Sequence, residues 1–209
     1  MPIKLYYAPG ACSLASHFAL EDTGLAYEAV KINTGEGEQR SPAYLAINPR
    51  GRVPTVVVDG HVLTENVGIM TYFAGGYPKA NIWPKDTWHQ AVAVSTMAWL
   101  ANTVHTTFAH YFRAVRYADD TASQESLKAK ARGMYWDQMK EIDTLLNRRK
   151  WSVGSSYSVV DGYLLVFYRW GNRIQMDMKS LHNYTGLVER VMDRPTVRKV
   201  MADEGITLA

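Results

Sequence analysis

A change in hydrophobic period near residue 78 constrains the fold of this chain more than any other feature. Before that point, short strands and short helices alternate in the order β-α-β-α-β-β-α, and after it the pattern is helical. Such alternation predicts a sheet covered by helices, with a parallel portion and an antiparallel hairpin at its end. We therefore expect an α/β domain followed by an all-α domain.

The first part of the chain carries clear start and stop signals. Ser41-Pro42 is a good N-cap and N1 pair for a short helix, and Asp59-Gly60 is a strong hairpin turn signal. Gly24 and the Gly75-Gly76 pair are expected to end helices. The predicted strands cover residues 3–7, 26–33, 53–58 and 61–64, and the predicted helices cover residues 13–23, 42–47 and 66–74.

The second part contains longer helical patterns. A polar, proline-containing stretch at residues 79–87 is the natural linker, which divides the chain into domains 1–78 and 88–209. Ser158-Val159-Val160-Asp161 is a capping-box arrangement with Asp in place of Glu. We interpret Asp161 as a capping carboxylate, and a catalytic role is the alternative. Helices are predicted over about 88–116, 124–148 and 158–174, with a last short helix opened by Pro195.

Charge and composition argue against several classes of partner. The 23 basic residues exceed the 20 acidic ones by only three, which is too small and scattered an excess to indicate nucleic-acid binding. No apolar stretch approaches the roughly 20 residues that span a bilayer, and the N-terminus has no signal-peptide pattern. A single cysteine permits no internal disulfide, which favours a reducing, cytoplasmic location.

That cysteine, Cys12, lies where the first strand turns into the first helix. A thiol there faces unpaired backbone N–H groups and the positive end of the helix dipole, which both stabilise the thiolate. The position therefore indicates a reactive sulfur, and a buried structural cysteine is the alternative. Since no second cysteine is present, dithiol chemistry of the C-x-x-C kind is excluded.

Three other positions carry candidates. Pro54 precedes an apolar strand, and a trans proline opening that strand is the simplest local interpretation. Glu65-Asn66 begins a helix, where it either binds a ligand's polar groups or caps its own helix. His105 lies within a long helix, and no partner stands at metal-binding spacing, so no metal site is predicted.

Three blocks in this order resemble bacterial beta-class glutathione S-transferases. They are Tyr6-Tyr7-Ala8-Pro9-Gly10-Ala11-Cys12-Ser13-Leu14, Asn48-Pro49-Arg50-Gly51-Arg52-Val53-Pro54 and Leu63-Thr64-Glu65-Asn66. The similarity covers essentially the whole chain and includes His105-Thr106-Thr107-Phe108 and the segment 158–163. It implies a thioredoxin-like N-terminal domain, an all-helical C-terminal domain, glutathione bound mainly by the first, and a homodimer.

The resemblance also implies roles for individual residues. Pro54 becomes the expected cis proline, and the Val53 backbone pairs with the cysteinyl part of glutathione. Glu65 and Asn66 hold the γ-glutamyl end, while Cys12 lies beside the glutathione sulfur in hydrogen-bond or mixed-disulfide contact. The expected glutathione-binding set is Cys12, Val53, Pro54, Glu65, Asn66, Asn102, Thr103 and His105, of which Cys12 and His105 are the catalytic candidates.

The chain departs from the family pattern at three places. Asn66 stands where serine is common, and it retains hydrogen-bond donors. Beta-class members often carry a lysine in the loop after the second strand, but residues 34–38 contain none. The lysine that commonly follows the helix histidine is Thr106 here. Two cationic contacts of the family are therefore unmatched.

The implied activity is conjugation of the glutathione thiolate to small hydrophobic electrophiles, as in detoxification. Phe108, Tyr111 and Phe112 are candidate walls for the electrophile, with plain core packing as the alternative. Thiol transfer or peroxide reduction through a Cys12–glutathione mixed disulfide is a second hypothesis. A non-catalytic ligand-binding protein of the same fold is a third, and the two unmatched lysines favour it.

Overall fold

The computed structural model describes residues 2–208, so Met1 and Ala209, the outer ends of the two predicted domains, lie outside the described residues. Within that range the strands are β1 Ile3–Tyr7, β2 Glu28–Lys31, β3 Thr55–Val58 and β4 His61–Thr64. The helices are α1 Ser13–Asp22, α2 Pro42–Ile47, α3 Asn66–Gly76, α4 Thr87–Trp99, α5 His105–Phe112, α6 Thr121–Leu145, α7 Val159–Arg173, α8 His182–Met192 and α9 Pro195–Asp203.

The sheet has the predicted mixed topology, with strand order β2-β1-β3-β4. β1 runs parallel to β2 and antiparallel to β3, so Leu5 lies opposite both Ala29 and Val56. β3 pairs antiparallel with β4 across a two-residue turn. Asp59 and Gly60 in that turn have φ of 48° and 84°, the positive values that tight hairpin turns require.

Local capping signals are also confirmed. The Ser41 hydroxyl accepts a hydrogen bond from the Tyr44 backbone N–H at 3.2 Å, with Pro42 at N1 of α2. At the start of α7, the Asp161 carboxylate accepts from the backbone N–H of Ser158 and of Ser152, each at 2.8 Å. Asp161 is fully buried by these contacts, so the structure assigns it the capping role and not a catalytic one.

Two expectations about the helices need correction, and one helix was not predicted. The helix predicted over 88–116 is helical without a break from Thr87 to Phe112, but it contains a π-helical segment, Leu100–Val104, between α4 and α5 and ends before Arg113. Gly75 and Gly76 lie in the exposed last turn of α3, which continues until Tyr77 and Pro78. α8 was not predicted, although its buried residues follow helical spacing: they are Tyr184, Leu187, Val188 and Val191.

α1 and α7 connect the sheet to the helical part of the molecule. Every side chain of α1 from Ser13 to Leu20 is buried, and Leu20 packs into the apolar cluster formed with the sheet. Phe18 faces α7 at Gly162, where an added Cβ would lie 3.5 Å from its ring. This packing fixes the start of α1, where Cys12 lies, between the two parts of the chain.

No helix within residues 2–208 is both long enough and apolar enough to cross a membrane. The boundaries of the two predicted domains and of the linker at 79–87 stay predictions.

Candidate functional site

Cys12 occupies the N-cap position of α1, directly after the loop that leaves β1. Its sulfur donates to the backbone carbonyl oxygen of Val53, with Sγ and O 3.4 Å apart. The Val53-Pro54 peptide bond is cis, as the resemblance implied and the local interpretation did not. The structure thus brings Cys12, Val53 and Pro54 together from segments about 40 residues apart in sequence.

The ionisation expected for Cys12 is corrected by its surroundings. The backbone N–H groups of Cys12 and Ser13 do lower the thiol pKa, as does the Asn66 side chain. Burial acts in the opposite direction and is the largest cause, so the pKa of Cys12 is raised to about 11. At neutral pH Cys12 is therefore a thiol and a hydrogen-bond donor, not a thiolate.

Glu65 and Asn66 begin α3 next to Cys12. The Asn66 carbonyl oxygen accepts a hydrogen bond from the Ser16 hydroxyl at 2.6 Å, which leaves its NH₂ group toward Cys12. Glu65 is exposed, has φ of 70° and makes no side-chain capping contact with its helix. The capping alternative for this pair therefore has no support, and the carboxylate of Glu65 is free to bind a ligand.

His105 begins α5, directly after the π-helical segment that contains Asn102 and Thr103. Its imidazole packs against the Trp170 ring, with centroids 5.0 Å apart. Burial, with the positive charges of Arg52 and Arg113, lowers the His105 pKa to about 4, so the imidazole is neutral at physiological pH. Among residues 2–208, no side-chain hydrogen bond joins the exposed Asn102 or Thr103 to the other candidates.

Comparisons with known proteins agree with this geometry. Residues 1–75 match the family model described as "Glutathione S-transferase, N-terminal domain". Glutathione S-transferase GST-4.5 of Xanthomonas campestris pv. campestris is 30% identical over 98% of this chain and 100% of its own length. The chain belongs to the glutathione S-transferase family.

Solved structures of the family superimpose on the whole fold. A glutathione transferase homologue from Sulfitobacter with bound glutathione has a TM-score of 0.92 at 31% identity, covering 98% of this chain and 99% of its own. A bacterial beta-class glutathione S-transferase from Sphingomonas chungbukensis has a TM-score of 0.86 at 31% identity, covering 98% of this chain and 100% of its own. The thioredoxin-like domain and the helical part are thus those of glutathione S-transferases.

Tyr163 lies beside the candidate site, although the sequence indicated no role for it. It lies on α7 and is fully buried, and its hydroxyl makes no close hydrogen bond among residues 2–208, although the Asn66 side chain acts on it as a hydrogen-bonding group. Asn66 and Cys12 both act on its pKa, which burial raises, so the hydroxyl faces these two side chains. Tyr163 stands in an apolar helical run, and nothing in that pattern distinguishes it from an ordinary core residue.

Gly10 is a second feature that only the structure shows. Its N–H donates to the Glu204 carboxylate at 2.8 Å, and its carbonyl accepts from Trp170 Nε1 at 3.0 Å and from Arg169. The loop that carries Cys12 is therefore held by the helical part of this family member. The partners stand about 160 to 194 residues away, so no local pattern could have indicated them.

The aromatic candidates separate into core and surface. Phe108 is buried and stacks on Trp170 at 4.6 Å, so it is part of the core. Tyr111 is half-buried, whereas Phe112 is 43% exposed and stacks on Phe108 at 5.6 Å. Within residues 2–208 no group of three or more His, Cys, Asp or Glu side chains is placed to hold a metal ion.

Proposed function

We propose that this chain is a beta-class glutathione transferase that joins the sulfur of glutathione to small hydrophobic electrophiles. The observation that carries the proposal is the contact between Cys12 Sγ and the Val53 carbonyl at the start of α1, with Asn66 at the start of α3 beside it. Around this point lie backbone N–H groups, the Asn66 amide and the free Glu65 carboxylate. Together these donors and acceptors can form hydrogen bonds with the polar groups of a small peptide thiol.

The proposed chemistry follows from these groups. The Val53 backbone and Glu65–Asn66 hold the peptide, and the glutathione thiol loses its proton to solvent. The Cys12 thiol, kept protonated by burial, donates a hydrogen bond to the resulting thiolate. The glutathione sulfur then forms a bond to the electrophilic carbon, and the leaving group departs with its electron pair. The helical part of the chain adds three residues that approach the bound glutathione: His105, Asn102 and Thr103.

Thiol transfer through a Cys12–glutathione disulfide is the second candidate. It requires the Cys12 thiolate to attack oxidised glutathione and release one glutathione thiolate. The raised pKa of Cys12 leaves little thiolate at neutral pH and therefore supports conjugation instead. Intact mass after incubation with oxidised glutathione compares the two, because thiol transfer requires one added glutathione in the wild type and none in Cys12→Ser.

The test of the proposal uses immobilised glutathione and a chlorodinitrobenzene-type electrophile. We expect retention of the protein, release by free glutathione, and conjugating activity. Asn66→Ala should raise KM for glutathione, whereas Asn147→Ala, at an exposed position, should not. If the purified protein neither binds glutathione nor conjugates the electrophile, the transferase proposal is wrong.

We further propose that the chain acts as a cytoplasmic homodimer composed of the predicted domains 1–78 and 88–209. The resemblance to beta-class members supports the dimer, and the single free cysteine supports a reducing location. Light scattering coupled to size exclusion measures the oligomeric state, and a monomer at micromolar concentration would contradict the dimer. Cell fractionation tests the cytoplasmic location.

A further inference from the structure

Positively charged side chains from both parts of the chain gather beside the candidate site. Arg52 directly precedes Val53, the residue whose carbonyl contacts Cys12. Arg113 follows α5, about two helical turns after His105. With two neighbouring arginines they form what we call the arginine cluster: Arg40, Arg52, Arg113 and Arg116.

Backbone geometry brings the members of this cluster together in two pairs. The Arg116 N–H donates to the Arg113 carbonyl at 2.9 Å, so both lie in one tight turn after α5. The Arg40 guanidinium lies against Gly51, which precedes Arg52: an added Cβ there would be 3.2 Å from Arg40 Nη1. Arg52 and Arg113, one from each pair, both lower the pKa of His105, which links the pairs to the candidate site.

The arginine cluster lacks partners of opposite charge. Among residues 2–208, no ion pair and no guanidinium hydrogen bond involves any of its four members. Arg194, by contrast, pairs with Asp22 at 2.7 Å, and Arg169 donates to the Thr207 carbonyl at 2.6 Å. Like charges held together without counter-charges favour a bound anion.

An exposed aromatic surface adjoins the arginine cluster. The ring of Phe112 lies 5.8 Å from the Arg113 guanidinium and 4.7 Å from that of Arg173. Phe112 stacks on Phe108, which in turn stacks on Trp170 beside His105. An apolar ring and an anionic group can therefore bind next to each other here.

We propose that the arginine cluster selects electrophiles that carry a carboxylate or sulfonate next to an aromatic ring. The negative group binds Arg113 and Arg116, and the ring packs on Phe112 with its electrophilic carbon toward Cys12. This inference rests on the proposed transferase function and names the class of its second substrate. The chain thus has positive charge beside the site although it lacks the two lysines that are common in the family.

The glycyl carboxylate of glutathione is the other possible source of the anion, and the experiment separates the two. The two electrophiles compared are 4-chloro-3-nitrobenzoate and its uncharged methyl ester, which differ at the carboxyl group alone. We expect Arg113→Gln and Arg116→Gln each to lower kcat/KM for the carboxylate about tenfold. The same variants should leave kcat/KM for the ester and KM for glutathione within about twofold.

Arg149→Gln is the matched control, because it removes the same charge at an exposed position whose side chain makes no described contact. It should change neither electrophile's kinetics. Raising the salt concentration to about 0.5 M should weaken turnover of the carboxylate and not of the ester. Equal effects on both electrophiles overturn the inference, and so does a rise in KM for glutathione alone.

A binding measurement keeps the inference testable without turnover. Titration calorimetry of 4-chloro-3-nitrobenzoate should show about tenfold weaker binding to Arg113→Gln than to wild type and to Arg149→Gln. If neither electrophile is conjugated, the proposed function fails, and the titration alone decides on the arginine cluster. Equal binding by the three proteins, or binding no tighter than that of the ester, overturns the inference.

Discussion

The Glu204 carboxylate lies 2.8 Å from Nδ1 of His17, and both groups are buried although 187 residues separate them. The second oxygen of Glu204 accepts a hydrogen bond from the Gly10 N–H at 2.8 Å. Gly10 lies two residues before Cys12. One carboxylate near the end of the chain thus holds both α1 and the loop that carries the thiol.

His17 links Glu204 to the residues that precede β2. Its Nδ1 lies 2.8 Å from the Glu204 carboxylate, and its Nε2 lies 3.0 Å from the Tyr27 hydroxyl. The Tyr27 hydroxyl in turn donates to Glu21 at 2.7 Å. These contacts join α1, Tyr27 and the Glu204 carboxylate in one hydrogen-bonded network.

Glu204→Gln should destabilise the protein by roughly 1–3 kcal/mol, because the amide has one acceptor oxygen where the carboxylate presents two, one to Gly10 and one to His17. Urea unfolding measures the change in free energy. Asp203→Asn is the matched control: this neighbouring carboxylate is half exposed and pairs with Lys199, so its loss should cost about 0.5 kcal/mol or less. Equal losses in the two variants would contradict a special role for the buried pair.

Cys12 should react slowly with iodoacetamide at neutral pH. Since its pKa is about 11, the thiolate fraction and the alkylation rate should rise about tenfold per pH unit between pH 7 and 10. Asn66→Ala removes a group that lowers this pKa and should slow the reaction further. Mass spectrometry measures the rate, and Cys12→Ser serves as the unlabelled control. A rate that levels off near pH 7 would contradict the thiol assignment.

His105 should remain neutral down to about pH 5. Its pKa of about 4 lies below the ordinary 6.5, so the unfolded chain binds a proton in that interval that the folded protein does not. Stability should therefore fall as pH decreases from 6.5 to 4, and less so in His105→Asn. NMR of the imidazole measures the pKa directly. Arg113→Gln should raise it, and a midpoint near 6.5 in the wild type would disprove the assignment.

Removal of the Tyr163 hydroxyl should change stability by less than about 1 kcal/mol, because the buried group makes no close hydrogen bond. Tyr184→Phe is the matched control. This tyrosine is equally buried, but its hydroxyl donates to the Leu164 carbonyl at 2.7 Å, so its loss should cost about 1–3 kcal/mol. Thermal unfolding compares Tyr163→Phe with the control, and equal destabilisation would show that Tyr163 does have a partner.

The sequence by itself determined the order of strands and helices and many of their ends. Some residues act through backbone groups only about three residues away, so their effects can be predicted from the local sequence. They are Ser41, Asp59-Gly60 and Asp161. The resemblance added the cis Val53-Pro54 bond, which local rules did not favour. The hydrophobic periodicity of the sequence did not reveal the π-helical segment that begins at Leu100.

Only the tertiary structure decided the ionisation of the site. Helix-end N–H groups act on Cys12 as its position predicts, but burial by distant segments outweighs them. Residues far apart in sequence likewise meet where Tyr163 faces Asn66, in the arginine cluster and in the contact between Glu204 and His17. Solvation and charge depend on every neighbour in space, whereas turns and caps depend on neighbours along the chain.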